Sequence, residues 1–254
     1  MRKLKIEKRV RVLTGEFSGI TLVGCGGTGS FLALHLARIA YHLQERGQRV
    51  RLAFVDMDRV EPQNIGRQNF APAEIEQFKA QTLMLRFNRA FGLDIEAHNA
   101  PFGSYAHNFK RVELVIGAVD NAAARRSLAE VMAKNLGDSW WLDCGNHEHS
   151  GQVLFGNRPD LRKPEFKLGV CVGLPLPSVV HSELLESEPE EERSGESCAE
   201  LAARDVQSLM VNQAAAGWAA SYVYRLLVSR DLDVYATYFD LVAGSARSLA
   251  IVAR

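Results

Sequence analysis

The sequence is poor in cysteine, and its four cysteines lie too far apart to form a Cys-x-x-Cys pair. A structural zinc site needs four soft ligands, which usually come in close pairs, so we expect no zinc. In a reducing compartment the thiols stay free. We expect Cys25 and Cys144 to be packed in the core and Cys171 to be structural, whereas Cys198 lies in an acidic segment.

The sequence also lacks an excess of charge and long hydrophobic runs. Lys plus Arg and Asp plus Glu both total 30 residues, so no basic field attracts nucleic acid and we expect no such partner. The most apolar stretch, residues 206–228, is interrupted by Gln207, Asn212 and Arg225, which favours a helix buried in protein over one in lipid. Residues 1–8 are charged and precede no apolar run, unlike a signal peptide. We therefore expect a cytoplasmic protein without membrane association.

The sequence does contain a strand, a glycine-rich turn and a helix in direct succession. Gly19–Val23 is a short apolar run, and residues 24–30 follow at once as Gly-Cys-Gly-Gly-Thr-Gly-Ser. Residues 31–45 carry apolar side chains at helical spacing, and residues 50–55 form the next apolar run. The order strand, turn, helix, strand predicts one βαβ unit, whose two strands are parallel by the handedness rule.

Further alternating elements follow along the chain. Apolar spacing predicts helices over residues 72–91 and 121–136, and strands over residues 94–99, 114–118 and 140–143. Strands that alternate with helices are typical of an α/β fold. We expect a Rossmann-like, mostly parallel sheet with helices on both faces.

The C-terminal part of the chain is expected to extend this sheet in an antiparallel manner. Strands are predicted over residues 149–156, 234–241 and 248–252, with a turn at residues 243–245 between the last two.

The chain shows no internal repeat, and we expect one domain over residues 1–254. Residues 15–150 are expected to form a nucleotide-binding half and residues 151–254 a second half. Within the second half, residues 183–200 are acidic and have few apolar groups to bury, so they are interpreted as a mobile surface loop.

The glycine-rich turn is the first sign of function. Its glycines are Gly24, Gly26, Gly27 and Gly29. Glycine lets the backbone approach a phosphate, and a helix opening near Ser30 offers free N–H groups and a positive dipole end. Asp56 follows the second strand, where a carboxylate can bind ribose hydroxyls. This pattern fits NAD as well as ATP, and such a turn can also serve only to pack a strand against a helix.

The run from residue 55 to residue 70 separates the two nucleotides. It contains a second aspartate and three further polar side chains, namely Asp58, Asn64, Arg67 and Gln68. A dehydrogenase has no need of this set. A triphosphate does, because Asn and Arg can grip its oxygens and a carboxylate can help to hold Mg²⁺. Lys79, expected near the middle of the next helix, supplies another fixed cation.

A carboxylate is also expected at the tip of a later strand. Asp120 and Asn121 directly follow the strand predicted over residues 114–118. Ligands of parallel sheets bind at the carboxyl ends of the strands, so Asp120 can face the same crevice. Asp120 could also cap the helix that begins near Asn121, and capping is compatible with metal binding.

In combination these motifs resemble the ThiF/MoeB family, which includes the ubiquitin-activating enzymes. The family pattern is Gly-x-Gly-Gly-x-Gly-Ser, then Asp-x-Asp, Asn-x-x-Arg-Gln, a lysine and a late Asp-Asn, and this sequence matches it in order and approximate spacing. Within the family the sequence is most similar to the ThiF-type member of the bacterial PRTRC gene system. The resemblance covers residues 18–155 and, more loosely, the C-terminal helix and hairpin.

The resemblance implies an adenylyltransferase that uses ATP and Mg²⁺ to activate the C-terminal carboxylate of a small ubiquitin-like protein ending in glycine. The implied site residues are Asp56 for the ribose, Lys79 for ribose or phosphate, Asn64 and Arg67 for the triphosphate, Asp120 for Mg²⁺, and Asp58, Gln68 and Asn121 as further nucleotide contacts. Arg67, Lys79 and Asp120 would act in catalysis by positioning and charge neutralisation. Residues 151–254 would bind the partner, and a homodimer is implied.

Some relatives form a thioester on a cysteine of the crossover loop, and Cys198 is the corresponding candidate. A following helix would lower the pKa of its thiol, whereas Glu196 and Glu200 would oppose that effect. The sequence departs from many relatives in lacking the paired zinc cysteines. It also lacks an obvious N-terminal helix with a phosphate-binding arginine, for which Arg9 and Arg11 are substitutes.

Two other functions remain open from the sequence. An NAD(P)-dependent oxidoreductase would account for the glycine turn and Asp56, but it leaves Asn64, Arg67 and Lys79 without a role. A non-catalytic scaffold would keep the fold and bind a ubiquitin-like protein without adenylating it.

Overall fold

The computed structural model describes residues 8–14, 16–105, 112–134, 139–186 and 198–253, and of residues 198–209 it describes the backbone alone. The strands of these ranges are β1 (Lys8–Arg9), β2 (Gly19–Val23), β3 (Arg51–Val55), β4 (Glu96–His98), β5 (Glu113–Gly117), β6 (Trp140–Asn146), β7 (Ser150–Gly156), β8 (Glu165–Lys167), β9 (Val170–Gly173), β10 (Val234–Asp240), β11 (Ser245–Ala250) and β12 (Val252–Ala253). The helices are α1 (Gly27–Gln44), α2 (Lys79–Phe91), α3 (Phe102–Tyr105), α4 (Ala122–Lys134), α5 (Pro177–Val180) and α6 (Cys198–Leu227).

One twisted sheet organises the molecule. In the described residues it has eight strands in the order β11-β10-β7-β6-β5-β2-β3-β4. The strands from β4 to β6 run parallel, and β7, β10 and β11 continue the sheet as antiparallel neighbours. This arrangement confirms the expected α/β fold with a mostly parallel sheet and an antiparallel C-terminal extension. Two short antiparallel pairs, β1 with β12 and β8 with β9, lie outside it.

Helices cover both faces of the sheet because successive strand residues point to opposite sides. In β5, Leu114 and Ile116 belong to the core formed with α1, α2 and α6, whereas Val115 belongs to the core formed with α3 and α4. Trp141 and Leu142 of β6 divide between the two cores in the same way. The parallel strands are buried on both faces and consequently consist of near-continuous apolar runs.

The helix expected over residues 72–91 is shorter in the structure. Pro72–Glu74 form a 3₁₀ turn, Glu76 adopts a φ of +69°, and α2 begins only at Lys79. The Glu74 carboxylate accepts the Ala71 N–H at 2.8 Å, which closes the turn on itself. The prediction that Lys79 lies near the middle of a helix is therefore wrong, because Lys79 is the first residue of α2.

The acidic segment is not a loop over its whole predicted length. Ser182–Leu185 form a 3₁₀ turn whose Leu184 packs with Leu154 and Ala236, and α6 begins at Cys198. Residues 187–197, on which the rest of that prediction falls, lie outside the described residues.

The long C-terminal helix α6 packs within the protein, as its small residues predicted. Buried side chains such as Val211, Ala219 and Val223 face α1 and the sheet. In the part of the chain that the structure describes, no helix combines the length and the apolar composition needed to cross a bilayer.

Candidate functional site

The glycine-rich turn joins β2 to α1 through contacts that exclude larger residues. Gly24 adopts a φ of +86°, and a methyl group there would lie 2.5 Å from the carbonyl oxygen of Ala118. A methyl group at Gly29 would lie 1.9 Å from the carbonyl oxygen of Gly24. The turn is thus held against the end of β5, and the first helical turn of α1 begins at Gly27 rather than near Ser30.

Two aspartates and a lysine form a polar cluster beyond β3. The Asp56 carboxylate accepts the Cys25 N–H at 2.6 Å and the Asp58 N–H at 2.8 Å. Burial raises the pKa of Asp56, and these two hydrogen bonds together with Lys79 oppose that rise. The Lys79 ammonium lies 3.2 Å from the Asp58 carboxylate. Asp56 is therefore fixed by the glycine turn itself, and Lys79 is fixed by Asp58.

The loop between β3 and α2 carries the amide and guanidinium groups expected for a triphosphate. Asn64 is buried, and its Oδ1 accepts the Glu61 N–H at 3.0 Å. Arg67 is half-buried, and its Nε donates to the carbonyl oxygen of Gln63 at 3.1 Å. Gln68 is buried, and its Oε1 has no hydrogen-bond partner within the described residues. Asn64 shapes the loop, while Arg67 and Gln68 face the space in front of the glycine turn.

Asp120 and Asn121 lie where β5 passes into α4. The Asn121 Oδ1 accepts the Ala124 N–H at 2.8 Å, so Asn121 rather than Asp120 caps the helix. The Asn121 amide also donates to the Asp120 carboxylate at 3.3 Å. Asp120 is exposed, which leaves its carboxylate accessible to a ligand at the carboxyl end of the sheet.

These parts surround one cavity of about 590 Å³. The predicted site residues that line it are Gly24, Gly26, Gly27, Asp56, Asp58, Arg67, Gln68, Lys79, Asp120 and Asn121. Gly29 and Asn64 lie behind the lining and shape it. The side chain of Cys198 lies outside the described residues. Glycines of the turn and polar side chains scattered from position 56 to position 121 thus converge on one space, as expected for the carboxyl edge of a parallel sheet.

The sequence did not reveal a second group of polar residues on the opposite side of the cavity. Asn212 of α6 accepts hydrogen bonds at its Oδ1 from Thr28 at 3.0 Å and from Asn146 at 2.8 Å. All three residues line the cavity. The signal in the sequence is an amide within an otherwise small and apolar helix, but nothing there indicates which side of the helix it occupies.

A magnesium ion at this cavity would depend on Asp120 and on the ligand. No group of three or more His, Cys, Asp or Glu side chains that could hold a metal occurs among the residues described. Mg²⁺ in nucleotide sites is commonly held by one or two carboxylates together with phosphate oxygens and water. The exposed carboxylate of Asp120, with the hydrogen bond from Asn121 to orient it, fits such a site.

The three cysteines that the structure describes in full are buried and free, as expected. Burial raises the pKa of the Cys25 and Cys144 thiols, and it raises the pKa of Cys171 to about 11. Cys144 also lines the cavity, next to Asn146 of β6. Since only the thiolate is a good nucleophile, these three residues are suited to packing rather than to chemistry.

The comparisons with known proteins agree with this architecture. The model of the ThiF family matches residues 16–245, and the chain belongs to that family. A comparison with curated proteins finds no match.

Solved structures of the same fold include PaaA and E. coli MccB. The structure of PaaA is 16% identical, with a TM-score of 0.58 over 93% of this chain and 65% of that chain. MccB with ATP is 12% identical, with a TM-score of 0.62 over 92% of this chain and 64% of that chain. MccB with MccA is also 12% identical, with a TM-score of 0.63 over 93% and 65%. The chain therefore spans slightly less than two thirds of the length of these structures.

Proposed function

We propose that this protein is an ATP-dependent adenylyltransferase that activates the C-terminal carboxylate of a small ubiquitin-like protein ending in glycine. The observation that carries the proposal is the convergence of Asp56, Arg67, Lys79 and Asp120 on one cavity at the glycine turn. Membership of the ThiF family supports it. So does the fold shared with E. coli MccB, which has been crystallised with ATP and with MccA.

The nucleotide would lie across the carboxyl ends of β3, β2 and β5. Asp56, already fixed by the Cys25 N–H at 2.6 Å, would accept the ribose hydroxyls. The amino terminus of α1 would receive phosphate oxygens, because its first N–H groups are free of side-chain caps. Lys79 and Arg67 would neutralise the phosphates from the side of the β3–α2 loop.

The proposed reaction is a displacement at the α-phosphorus. A carboxylate oxygen of the partner forms a bond to this phosphorus, while the bond to the oxygen that bridges to the β-phosphate breaks. Pyrophosphate leaves with the electron pair, and an acyl-adenylate remains. The step needs no protein nucleophile, so the side chains of this chain act by orienting both reactants and by balancing charge. Mg²⁺ held by Asp120 would neutralise phosphate charge.

The C-terminal half and Cys198 would serve the partner protein and the step after adenylation. The half formed by residues 151–254 would bind the partner. Cys198 at the start of α6 would take over the acyl group, its thiolate attacking the carbonyl carbon while AMP leaves. Helix amino termini lower thiol pKa values, which favours this position. We further propose a cytoplasmic homodimer of the PRTRC type, encoded near a gene for a small protein that ends in glycine.

Nucleotide choice tests the proposal most directly. Thermal shift and titration with ATP–Mg²⁺ should show binding, whereas NAD⁺ and NADH should show none at the same concentration. An oxidoreductase would give the reverse result, because its cavity would select the nicotinamide nucleotide. Stabilisation by NAD⁺ or NADH alone would reject the proposed function.

Catalysis is tested by ATP–pyrophosphate exchange with the protein encoded beside this chain. Exchange should depend on that partner and on its C-terminal glycine, and it should be lost in Asp120→Asn. Tight partner binding without any exchange would indicate a scaffold instead. The Cys198→Ala variant should retain exchange and lose the thiol-linked adduct, so an adduct that persists in this variant would assign the thioester elsewhere.

A further inference from the structure

A buried amide lies beside the glycine turn on the side opposite Lys79. Asn212 of α6 is 8% exposed. Its Oδ1 accepts the Thr28 hydroxyl at 3.0 Å and the Asn146 amide at 2.8 Å. Since Thr28 of α1 and Asn146 of β6 both donate to Oδ1, the orientation of the amide is fixed, and Nδ2 points away from these two donors.

The amide group of Asn212 lies against the first residue of α1, Gly27. A methyl group at Gly27 would lie 2.6 Å from Nδ2, 2.7 Å from Oδ1 and 2.8 Å from Cγ of Asn212, so the amide occupies the space that any larger residue would need. Within the described residues Nδ2 has no hydrogen-bond partner; the bonds of this side chain are those made by Oδ1. The amide also lines the cavity.

The same point in space is an anion site by its backbone. α1 has 18 residues, and Gly26 provides no side-chain cap for its first turn. The free N–H groups and the positive end of the helix dipole therefore face the cavity. A buried donor that lies beside the amino terminus of a long helix and lines the same cavity can add a fixed, neutral hydrogen bond to this site.

We propose that Asn212 donates its Nδ2–H to a phosphate oxygen of the bound nucleotide at the amino terminus of α1. This inference rests on the proposed function, because it requires a nucleotide in the cavity. A neutral amide fixes the direction of the phosphate without adding charge, whereas Lys79 and Arg67 supply the charge from the other side. The contact also joins α6 to the nucleotide, which no motif of the glycine turn provides.

The Asn212→Asp variant tests the donor itself. The substitution keeps the shape of the side chain and the oxygen that Thr28 and Asn146 contact, but it replaces the N–H donor with an oxygen. Titration calorimetry with ATP–Mg²⁺ should show binding weakened about tenfold to hundredfold, the value expected for a lost hydrogen bond to a charged group. Gln213→Glu is the matched control, because it adds the same charge at the exposed neighbouring position. The control should bind ATP like the unmodified protein.

Two further measurements separate a phosphate contact from a structural role. Asn212→Asp and Gln213→Glu should unfold within a few degrees of each other without nucleotide. Thr28→Val, which removes a hydrogen bond to Oδ1 and leaves Nδ2 in place, should weaken ATP binding by only about threefold.

The inference would be overturned if Asn212→Asp bound ATP as tightly as Gln213→Glu does. That result would also arise if both amides were rotated so that an oxygen faced the turn, and it would leave the proposed function intact. If the unmodified protein did not bind ATP, both the inference about Asn212 and the proposed function would be rejected.

Discussion

The two sides of the cavity differ in chemistry and in origin. The charged side consists of Asp56, Asp58, Arg67 and Lys79, which all belong to the stretch from the end of β3 to the start of α2. The amide side consists of Thr28, Asn146 and Asn212, which come from α1, β6 and α6. Charge attracts a ligand over several ångströms, whereas a neutral hydrogen bond acts only in contact. The charged side is thus suited to affinity, and the amide side to direction.

The difference also shows in how each side is supported. On the charged side, the Lys79 ammonium is held by a partner whose carboxylate side chain is 58% exposed, so solvent screens this pair. On the amide side, Thr28 and Asn146 both donate to Asn212 in a network that is buried at Thr28 and partly buried at Asn146. Hydrogen bonds between buried neutral groups are weakly affected by salt, so salt should weaken the charged side first.

Distorting the glycine turn, which both sides of the cavity share, should have the largest effect on stability. Gly29→Ala should lower the free energy of unfolding by about 4 kcal/mol or more, because its methyl group would lie 1.9 Å from the backbone oxygen of Gly24. Gly26→Ala is the matched control, since its nearest contact is the end of the Gln68 side chain at 3.9 Å. Urea unfolding measures both. Equal stabilities for the two variants would show that the turn relaxes.

A buried carboxylate behind the amide side should make stability depend on pH. Asp143 of β6 is fully buried, and burial raises its pKa to about 6 despite Arg125, whose Nε lies 3.5 Å away. Below about pH 4 both the folded and the unfolded chain bind this proton. Between about pH 4 and pH 6 the unfolded chain releases it first, so stability should fall by about 3 kcal/mol as the pH rises.

The Asp143→Asn variant should lack this part of the pH dependence. The free energy of unfolding, measured in urea from about pH 4 to about pH 6.5, should decline less in the variant than in the unmodified protein. Asp94→Asn, at an exposed position, should keep the decline. If Asp143→Asn kept it too, the carboxylate would titrate normally, and strand β6 would be more open to water than its burial indicates.

Removing the Lys79 ammonium from the charged side should lower the affinity for ATP–Mg²⁺ and change the free energy of unfolding little. Lys79→Met keeps most of the buried volume and leaves Asp58 in solvent, so the variant should fold normally. ATP–Mg²⁺ affinity, measured by titration calorimetry, should fall about tenfold to hundredfold because a charged hydrogen bond is lost. Lys167→Met, on an exposed position of β8, is the control and should bind normally. An unchanged affinity in Lys79→Met would show that the nucleotide does not reach this side.

Much of the charged side could be predicted because its residues lie in one short stretch. The glycine turn and Asp56 each follow a strand that apolar runs identify, and parallel strands bring their carboxyl ends to one edge. The prediction was wrong for the start of α2, where apolar spacing continued through Pro72. That spacing could not show that Glu76 adopts a φ of +69° and interrupts the helix before Lys79. The sequence also could not predict the position of Asn64, whose side chain accepts a hydrogen bond within the loop and does not line the cavity.

The α/β class, the glycine turn and the set of charged residues could all be predicted from local sequence patterns. This was possible because strand and helix periodicity and short polar motifs act over neighbouring residues. The contacts of Asn212 with Thr28 and Asn146, which lie 184 and 66 residues away in the chain, arise only when the chain is folded. These contacts depend on how α6 rotates and packs against α1 and the sheet, and packing is a property of the whole core rather than of any segment.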